Sequence, residues 1–352
     1  MRKFDYSKLK NEKWDSEILG LVAQIHEYKG RQELYLKQKP EKLERLMDIA
    51  RIQSTEASNE IEGIRTTNIR LQKLIADKTS PKNRDEEEII GYRDVLNTIH
   101  ESYEHIPVRT GYILQMHRLL FRYSGGETGG EFKNTQNYIS AFDACGNSFV
   151  LFTPLAPWET EPAVESICEN FNRIIETNEI DVLILIPVFI HDFLCIHPFN
   201  NGNGRMSRLL TTLLLYRSGY VIGKYISLES KIAKNKGLYY EALEKSQTGW
   251  LEGEEDITPF IKYLLQTVLA AYRDFEERVD IVSEKLPALE VVRRAACRKL
   301  GRFTKSDIME MCPGLSKASV ESSIRKLVDQ EILIKHGSGP GTFYTRNNSK
   351  YE

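Results

Sequence analysis

The 352-residue sequence has little cysteine, no long hydrophobic run and almost no net charge. Its five cysteines, Cys145, Cys168, Cys195, Cys297 and Cys312, are odd in number and widely spaced, with no C-x-x-C. They support neither a disulfide framework nor a cysteine-based zinc site. A reducing, cytoplasmic setting is the expectation. The opening stretch MRKFDYSKLKNEKWD has no apolar core, so no secretory signal is expected. The longest apolar stretch, Val182 to Ile190, is too short to cross a bilayer and reads as a buried helix. Lys and Arg number 48 against 50 Asp and Glu, a net of −2, which argues against a polyanion-coating protein. GxxxxGK[ST] is absent, as is the protein-kinase set, so two familiar routes to a nucleotide site are excluded.

What is present is a core-forming composition, 41% hydrophobic and 28% charged. Apolar positions three and four apart predict helices over 7–35 and 41–60, with Pro40 as the break. Thr79-Ser80-Pro81 before the acidic run Asp85 to Glu88 reads as a helix start, the helix running to about Tyr103. Another follows Pro107, from Thr110 to Tyr123. Gly-rich polar residues from 124 then lead to the alternating NSFVLFTP, a short β-hairpin turning near Ala144 to Asn147. Helices resume at 160–177, 181–195, 205–218, 230–247 and 257–283. The fold class is mainly α. Three regions are expected: an N-terminal helical region over 1–105, a core over 106–280, and a compact module over 285–350 after a boundary near Ser283 to Pro287. In that module, helices at 287–300, after Thr304 and after Ser316 precede two strands around a Gly/Pro turn, which resembles a winged helix-turn-helix.

Chemistry concentrates in HPFNNGNGRMSR, His197 to Arg208. Pro198 stops the preceding helix, and Gly202 and Gly204 permit positive φ and leave backbone N–H groups open. A Gly-rich loop feeding a helix N-terminus is a ready anion site. Arg205 and Arg208, three apart on the new helix, suit a polyphosphate clamp. His197 is a candidate general base near neutral pH, and Asn203 offers an amide to an oxyanion. The combination points to phosphoryl or nucleotidyl transfer, where positioning and electrostatics supply most of the catalysis. A Gly-Asn-Gly loop alone is usually a plain turn; eight chemically apt residues within twelve positions set this one apart. His191 and His197 are six apart and do not match the i,i+4 pair of a zinc helix.

This stretch resembles the Fic-domain signature HPFx[D/E]GNGRxxR, and more loosely the resemblance extends over about 85–275. It implies the Fic fold, a helical core with a β-hairpin flap, and AMPylation, the transfer of AMP from ATP to a protein hydroxyl. By resemblance, His197 is the base, Gly202, Asn203 and Gly204 form the anion hole, Arg205 and Arg208 hold the β- and γ-phosphates, and Phe199 anchors the loop. The family's metal-holding Asp or Glu is replaced here by Asn201, a weaker ligand for Mg²⁺ or Mn²⁺. The expectation is that the ion rests mainly on ATP phosphates and water. A lysine at the Gly204 position would mark the Doc-like kinase branch, and it is absent.

A second stretch, SNEIEG from Ser58 to Gly63, resembles the family's inhibitory motif [S/T]xxxE[G/N]. It implies that Glu62, sharing a helix face with Ser58, pairs with Arg208 and denies it to the γ-phosphate. Taken alone the pattern reads as a solvated helix end before a glycine cap. FKNTQNYI resembles the start of the flap, whose strand edge can align a target segment; Phe132, Asn134, Gln136, Asn137 and Ile139 belong to it. KGLYYEALEKSQ resembles the helix bordering the adenine pocket, with Tyr239, Tyr240 and Gln247 as candidates, although paired tyrosines also serve packing. The expected partners are a protein substrate, the chain itself as a target of modification or as a homo-oligomer, and no membrane. The alternatives are a DNA-binding regulator with a nucleotide-sensing core, or an enzyme that removes AMP or transfers another phosphate-linked group. Residues 285–352 hold 13 Lys or Arg against 7 Asp or Glu, a net of +6, and the rest of the chain is at −8. Lys317, Arg325, Lys326 and Lys335 are therefore candidates for DNA contact, with protein docking or dimerisation as the rival role.

Overall fold

The computed structural model describes residues 2–38, 40–125, 129–142, 147–283, 287–299, 301–312 and 315–347. They form two compact units, Met1–Glu27 with Ala50–Ala271, and Tyr28–Ile49 with Tyr272–Glu352. Helices α1 (Ser16–Gln38) and α2 (Pro40–Ile61) contribute residues to both.

The first unit is built around one helix. Helices α3 (Asn68–Ile75), α4 (Arg84–Ser102) and α5 (Thr110–Leu120) lead to strands β1 (Ile139–Phe142) and β2 (Ser148–Phe152). Then come α6 (Pro157–Thr177), α7 (Val182–Ile196), α8 (Asn203–Arg217), α9 (Leu228–Lys234), α10 (Lys236–Gln247) and α11 (Thr258–Ser283), the last running on into the second unit. Every residue of α7 from Leu183 to Ile196 is buried, as expected of a helix that is apolar all round. It packs between α6 and α8, while α4 packs on α5 and α8. Gly91 lets α4 approach α5, because a Cβ there would collide with the Leu120 carbonyl. The hairpin is antiparallel, pairing Ser140 with Val150 and Ala141 with Phe149, with an irregularity between Ile139 and Ser140.

The N-terminal segment is strapped to the end of α7. Tyr6 donates to Asp192 at 2.9 Å and the Trp250 indole donates to the same carboxylate at 2.7 Å. Arg2 stacks over Trp250 at 4.6 Å, lies 3.6 Å from Asp192 and pairs with Glu255. A buried carboxylate needs such partners.

Several boundaries differ from expectation. Residues 6–11 form a 3₁₀ turn and the first α-helix starts only at Ser16, after Asp15 caps it. The cap of α4 is Asn83, accepting from the Glu86 N–H at 3.0 Å, rather than the Thr79-Ser80-Pro81 stretch. The segment 230–247 breaks at Asn235 into α9 and α10, and α5 gives way to a turn at Phe121. The short α3, capped by Thr67, was not anticipated. The hairpin turn near Ala144 and part of the boundary near Ser283 to Pro287 lie outside the described residues.

The second unit contains α12 (Ala288–Arg298), α13 (Lys305–Met311) and α14 (Lys317–Asp329), followed by the antiparallel strands β3 (Leu333–His336) and β4 (Phe343–Arg346). Val292, Phe303, Ile308, Val320, Ile324, Leu327 and Leu333 share its core. Thr304 and Ser316 cap α13 and α14, as their spacing predicts.

Candidate active site

The loop between α7 and α8 is held shut by its own side chains. His197 sits in the left-handed region (φ 51°, ψ 62°) and its N–H closes α7 onto the Phe193 carbonyl at 3.0 Å. Asn203 then clamps Phe199 twice: its Oδ1 accepts from the Phe199 N–H at 2.9 Å and its Nδ2 donates to the Phe199 carbonyl at 2.7 Å. Phe199 is fully buried, stacked 3.7 Å from the His117 ring. His117 accepts from the Gly130 N–H through Nδ1, so its Nε2–H donates to the Asn201 carbonyl at 3.0 Å. Gly202 has φ 82°, and a Cβ there would strike the Phe121 ring.

Beyond Gly202 the chain turns directly into α8, and Met206 is the first residue whose N–H finds a helical partner, the Gly202 carbonyl at 2.9 Å. The N–H groups of Asn203, Gly204 and Arg205 precede it, in the first turn at the positive end of the helix dipole. Two arginines complete the cradle. Arg205 is 1% exposed and pairs with Glu88 at 2.7 Å, its guanidinium 5.2 Å from the centre of the Phe121 ring. Its Nε and Nη1 are buried with no hydrogen-bond partner. Burial pulls its pKa below the ordinary range, although the Glu88 carboxylate opposes this. Two orphaned donors on a buried cation are what an anionic ligand would satisfy.

Arg208 is in the opposite condition. Its Nε donates to Ser58 Oγ at 2.8 Å, and its Nη2 donates to the Ser58 carbonyl at 2.9 Å and to Glu62 Oε1 at 2.7 Å. Burial opposes both charges, but the pair wins: the Glu62 carboxyl is held below its usual range and the Arg208 guanidinium above its own. Glu62 reaches this position because α2 ends at Ile61 and Gly63 follows at φ 83°. Gly204 leaves the room: a Cβ there would collide with the Glu62 carboxylate. Lys236 secures the helix end, its Nζ donating to the Ile61 carbonyl at 2.6 Å.

His197 is pushed down to about 4, first by burial and then by the charge of Lys133, with the Leu194 carbonyl and Glu62 opposing. It is neutral at physiological pH. Its Nδ1 lies 3.3 Å from the Leu194 carbonyl, which fixes Nδ1–H and leaves the Nε2 lone pair for a proton.

Other expected residues divide. Tyr239 is 5% exposed and packs against Tyr240, Phe260 and Tyr263, so it belongs to the core. Tyr240 is 45% exposed, with Lys236 5.6 Å from its ring centre. Gln247 lines a separate open cleft of about 430 Å³ with Phe152 and Trp250. Asn203 spends both ends of its amide on Phe199, so that amide is not offered to an oxyanion as expected. Asn201 Oδ1 accepts from the Gly202 N–H at 2.7 Å. Among the described residues no cluster of three His, Cys, Asp or Glu is placed to hold a metal. The donor set does not fit a protein-held divalent ion. His191, pushed down to about 3 by burial, lies against Cys195 and Phe260 in the core. In the flap, Phe132 stacks on Phe199 at 6.2 Å, Asn134 is exposed, Gln136 donates to the Pro154 carbonyl, and Ile139 opens β1. Asn137 turns to the loop between α7 and α8, donating to the carbonyls of His197 and Phe199. Sequence reasoning missed Glu88, His117, Lys133 and Lys236. Glu88 stood in a run read only as a dipole partner, and Lys133 lay within the flap motif without being singled out.

Residues 107–215 match the Fic/DOC family. The protein adenylyltransferase fic-1 of Caenorhabditis elegans is 27% identical over 186 residues, covering 51% of this chain and 32% of that protein. The protein adenylyltransferase Fic of Drosophila grimshawi is 28% identical over 155 residues, covering 43% of this chain and 27% of that protein. The matched region thus spans a third or less of the length of these curated relatives. The crystal structure of a Fic family protein from Desulfovibrio desulfuricans G20 superposes with a TM-score of 0.61 at 22% identity, covering 96% of this chain and 98% of the other, which shows a shared fold.

Proposed function

We propose that this chain, which carries a Fic/DOC domain over residues 107–215, is a protein adenylyltransferase restrained by its own Glu62. The observation that carries the reading is the pair of arginines in one cradle: Arg205 with two unpartnered buried donors, Arg208 occupied by Ser58 and Glu62. ATP places its phosphates over the first turn of α8. Neutral His197 takes the proton of a Ser, Thr or Tyr hydroxyl through Nε2. The hydroxyl oxygen attacks the α-phosphorus, the α–β phosphoanhydride bond breaks, and pyrophosphate leaves as AMP is joined to the target. Positioning and charge supply the rate, as is general for phosphoryl chemistry. Tyr240 is the exposed aromatic face available to adenine. Mg²⁺ or Mn²⁺ would have to be held by the nucleotide's own phosphates and water, because Asn201 offers no charge and its oxygen already serves Gly202.

While Glu62 holds Arg208, the γ-phosphate lacks its partner and ATP sits unproductively. Incubation with α-labelled ATP and either metal tests the reading. Label transferred to protein should rise with Glu62→Gly, roughly 10- to 100-fold for loss of one charge-assisted hydrogen bond. It should vanish when His197→Ala is added. No label with either metal sinks the proposal. The target is a protein hydroxyl, and the chain's own hydroxyls are available to the same assay. The basic module at the C-terminus is a docking surface for DNA or protein, and binding of the whole chain to duplex DNA that weakens steeply with salt would favour DNA.

A further inference from the structure

Four consecutive carbonyls of the catalytic loop are all capped from one short segment at the root of the flap. The Lys133 Nζ donates to the Ile196 carbonyl at 3.0 Å, and the Lys133 backbone N–H donates to the Pro198 carbonyl at 2.9 Å. Asn137 Nδ2 donates to the His197 carbonyl at 3.2 Å and to the Phe199 carbonyl at 3.0 Å. The two side chains are joined, Lys133 Nζ donating to Asn137 Oδ1 at 2.9 Å. That bond settles which end of the Asn137 amide faces the loop.

The arrangement answers a local need. The last carbonyls of a helix have no intrahelical partner, and a cation there also meets the negative end of the dipole. Lys133 is only 3% exposed, and burial lowers its pKa to about 8. A lysine is desolvated to that extent at a cost, and the carbonyl at the end of α7 is what it gains. The residue so held is His197, which is neither glycine nor asparagine yet lies at φ 51°, in the left-handed region that L side chains enter only at a cost. The pyrrolidine of Pro198 removes a donor from the loop, so external donors must supply what the loop cannot.

We infer that Lys133 and Asn137 are positioning residues that fix His197 in its left-handed conformation, with Nε2 presented to the target hydroxyl, and that the flap root therefore serves the catalytic base as well as the target. The inference rests on the proposed transfer reaction for its kinetic consequence, and on geometry alone for the state of His197. The charged groups facing His197 are Lys133 from the flap root and Glu62 from the end of α2, with the Leu194 carbonyl of α7 on its Nδ1. Removing the lysine charge removes a repulsion against imidazolium.

The test uses the full chain carrying Glu62→Gly, with Lys133→Met, Lys133→Arg or Asn137→Asp added. Asn137→Asp keeps the acceptor for Lys133 but sets a carboxylate oxygen against two carbonyls. For Lys133→Met and Asn137→Asp, kcat should fall roughly 10- to 100-fold with KM for ATP within about twofold, the signature of a displaced base. Lys133→Arg, which keeps charge and donors, should retain the larger part. In parallel, the His197 imidazole is titrated by NMR, assigned by its loss in His197→Ala. Its pKa should move upward in Lys133→Met, and the acid limb of the kcat profile should move with it. An unchanged His197 titration in both Lys133→Met and Asn137→Asp overturns the inference, whatever happens to kcat. If Lys133→Met unfolds, Asn137→Asp decides, being isosteric. If Glu62→Gly transfers no label at all, the transferase reading has failed, and the titration still judges whether Lys133 and Asn137 act on His197.

Discussion

At the scale of single residues, the site is a contrast between two arginines on one helix turn. Arg205 is oriented by Glu88, and Glu88 is itself held by Arg84 at 2.8 Å. Glu88→Gln keeps the shape and removes the charge, leaving a buried guanidinium free to swing. The expected result, in the Glu62→Gly background, is a KM for ATP raised roughly tenfold, the loss of one charge-assisted contact, measured by initial rates. An unchanged KM would show that Arg205 needs no such anchor. Phe199 sits on the His117 ring with no exposure, so Phe199→Ala should cost about 3–5 kcal/mol by denaturant unfolding and abolish transfer as the loop loosens. The loop residues were readable because their chemistry is contiguous: His197, Gly202 and Arg205 announce an anion site without any tertiary knowledge. Glu88 and His117 were not, since each meets the loop from more than eighty residues away and looks like an ordinary helix-surface acid or core histidine.

At the scale of elements, capping decided where helices start, and sequence reading found only some of the caps. Asn83 rather than Ser80 begins α4, which puts Asp85, Glu86 and Glu87 in its first turn. Glu88 then falls one turn further, on the side that meets Arg205. Asn83→Ala should destabilise the chain by about 1 kcal/mol, read as a lower urea midpoint with unchanged slope. Ser80→Ala, at the expected but unused cap, should cost less. Helix α3 escaped notice because it is eight residues long, too short for periodicity to stand out. The predicted hairpin was found because alternation of β-branched and aromatic residues between turn formers is a local signal. That its root would turn inward to α7 was not local at all.

At the scale of the whole molecule, buried neutral histidines make the fold sensitive to acid. His100, His191 and His197 are pushed down to about 4, 3 and 4, each first by burial. Unfolded, they titrate near 6.5. As pH falls below that value the unfolded chain binds protons that the folded chain refuses, so stability falls until the folded histidines protonate near 4 to 3. Every tenfold loss of proton affinity on folding corresponds to about 1.4 kcal/mol. Asp192, raised to about 6 by burial, acts the other way and regains some stability between 6 and its unfolded value of 3.8. With three histidines against the raised carboxyls of Asp192 and Glu56, the urea midpoint should drop between pH 6.5 and 4.5; a flat midpoint there would contradict the neutral assignments.

The sequence by itself determined the helical class, the glycine-rich loop with its arginines and the histidine beside them, the closeness of Ser58 and Glu62 at one helix end, and the net positive charge of residues 285–352. These depend on periodicity, on turn-forming residues and on chemistry packed into a few adjacent positions. Only the tertiary structure decided that Arg208 is occupied while Arg205 keeps two open donors, that Asn203 braces the loop, that Tyr239 is core and Tyr240 exposed, and that Lys133 and Asn137 cap the run of carbonyls around His197. Each of these is a matter of which distant group satisfies a buried donor or acceptor, and burial makes that pairing obligatory without writing it in the local sequence.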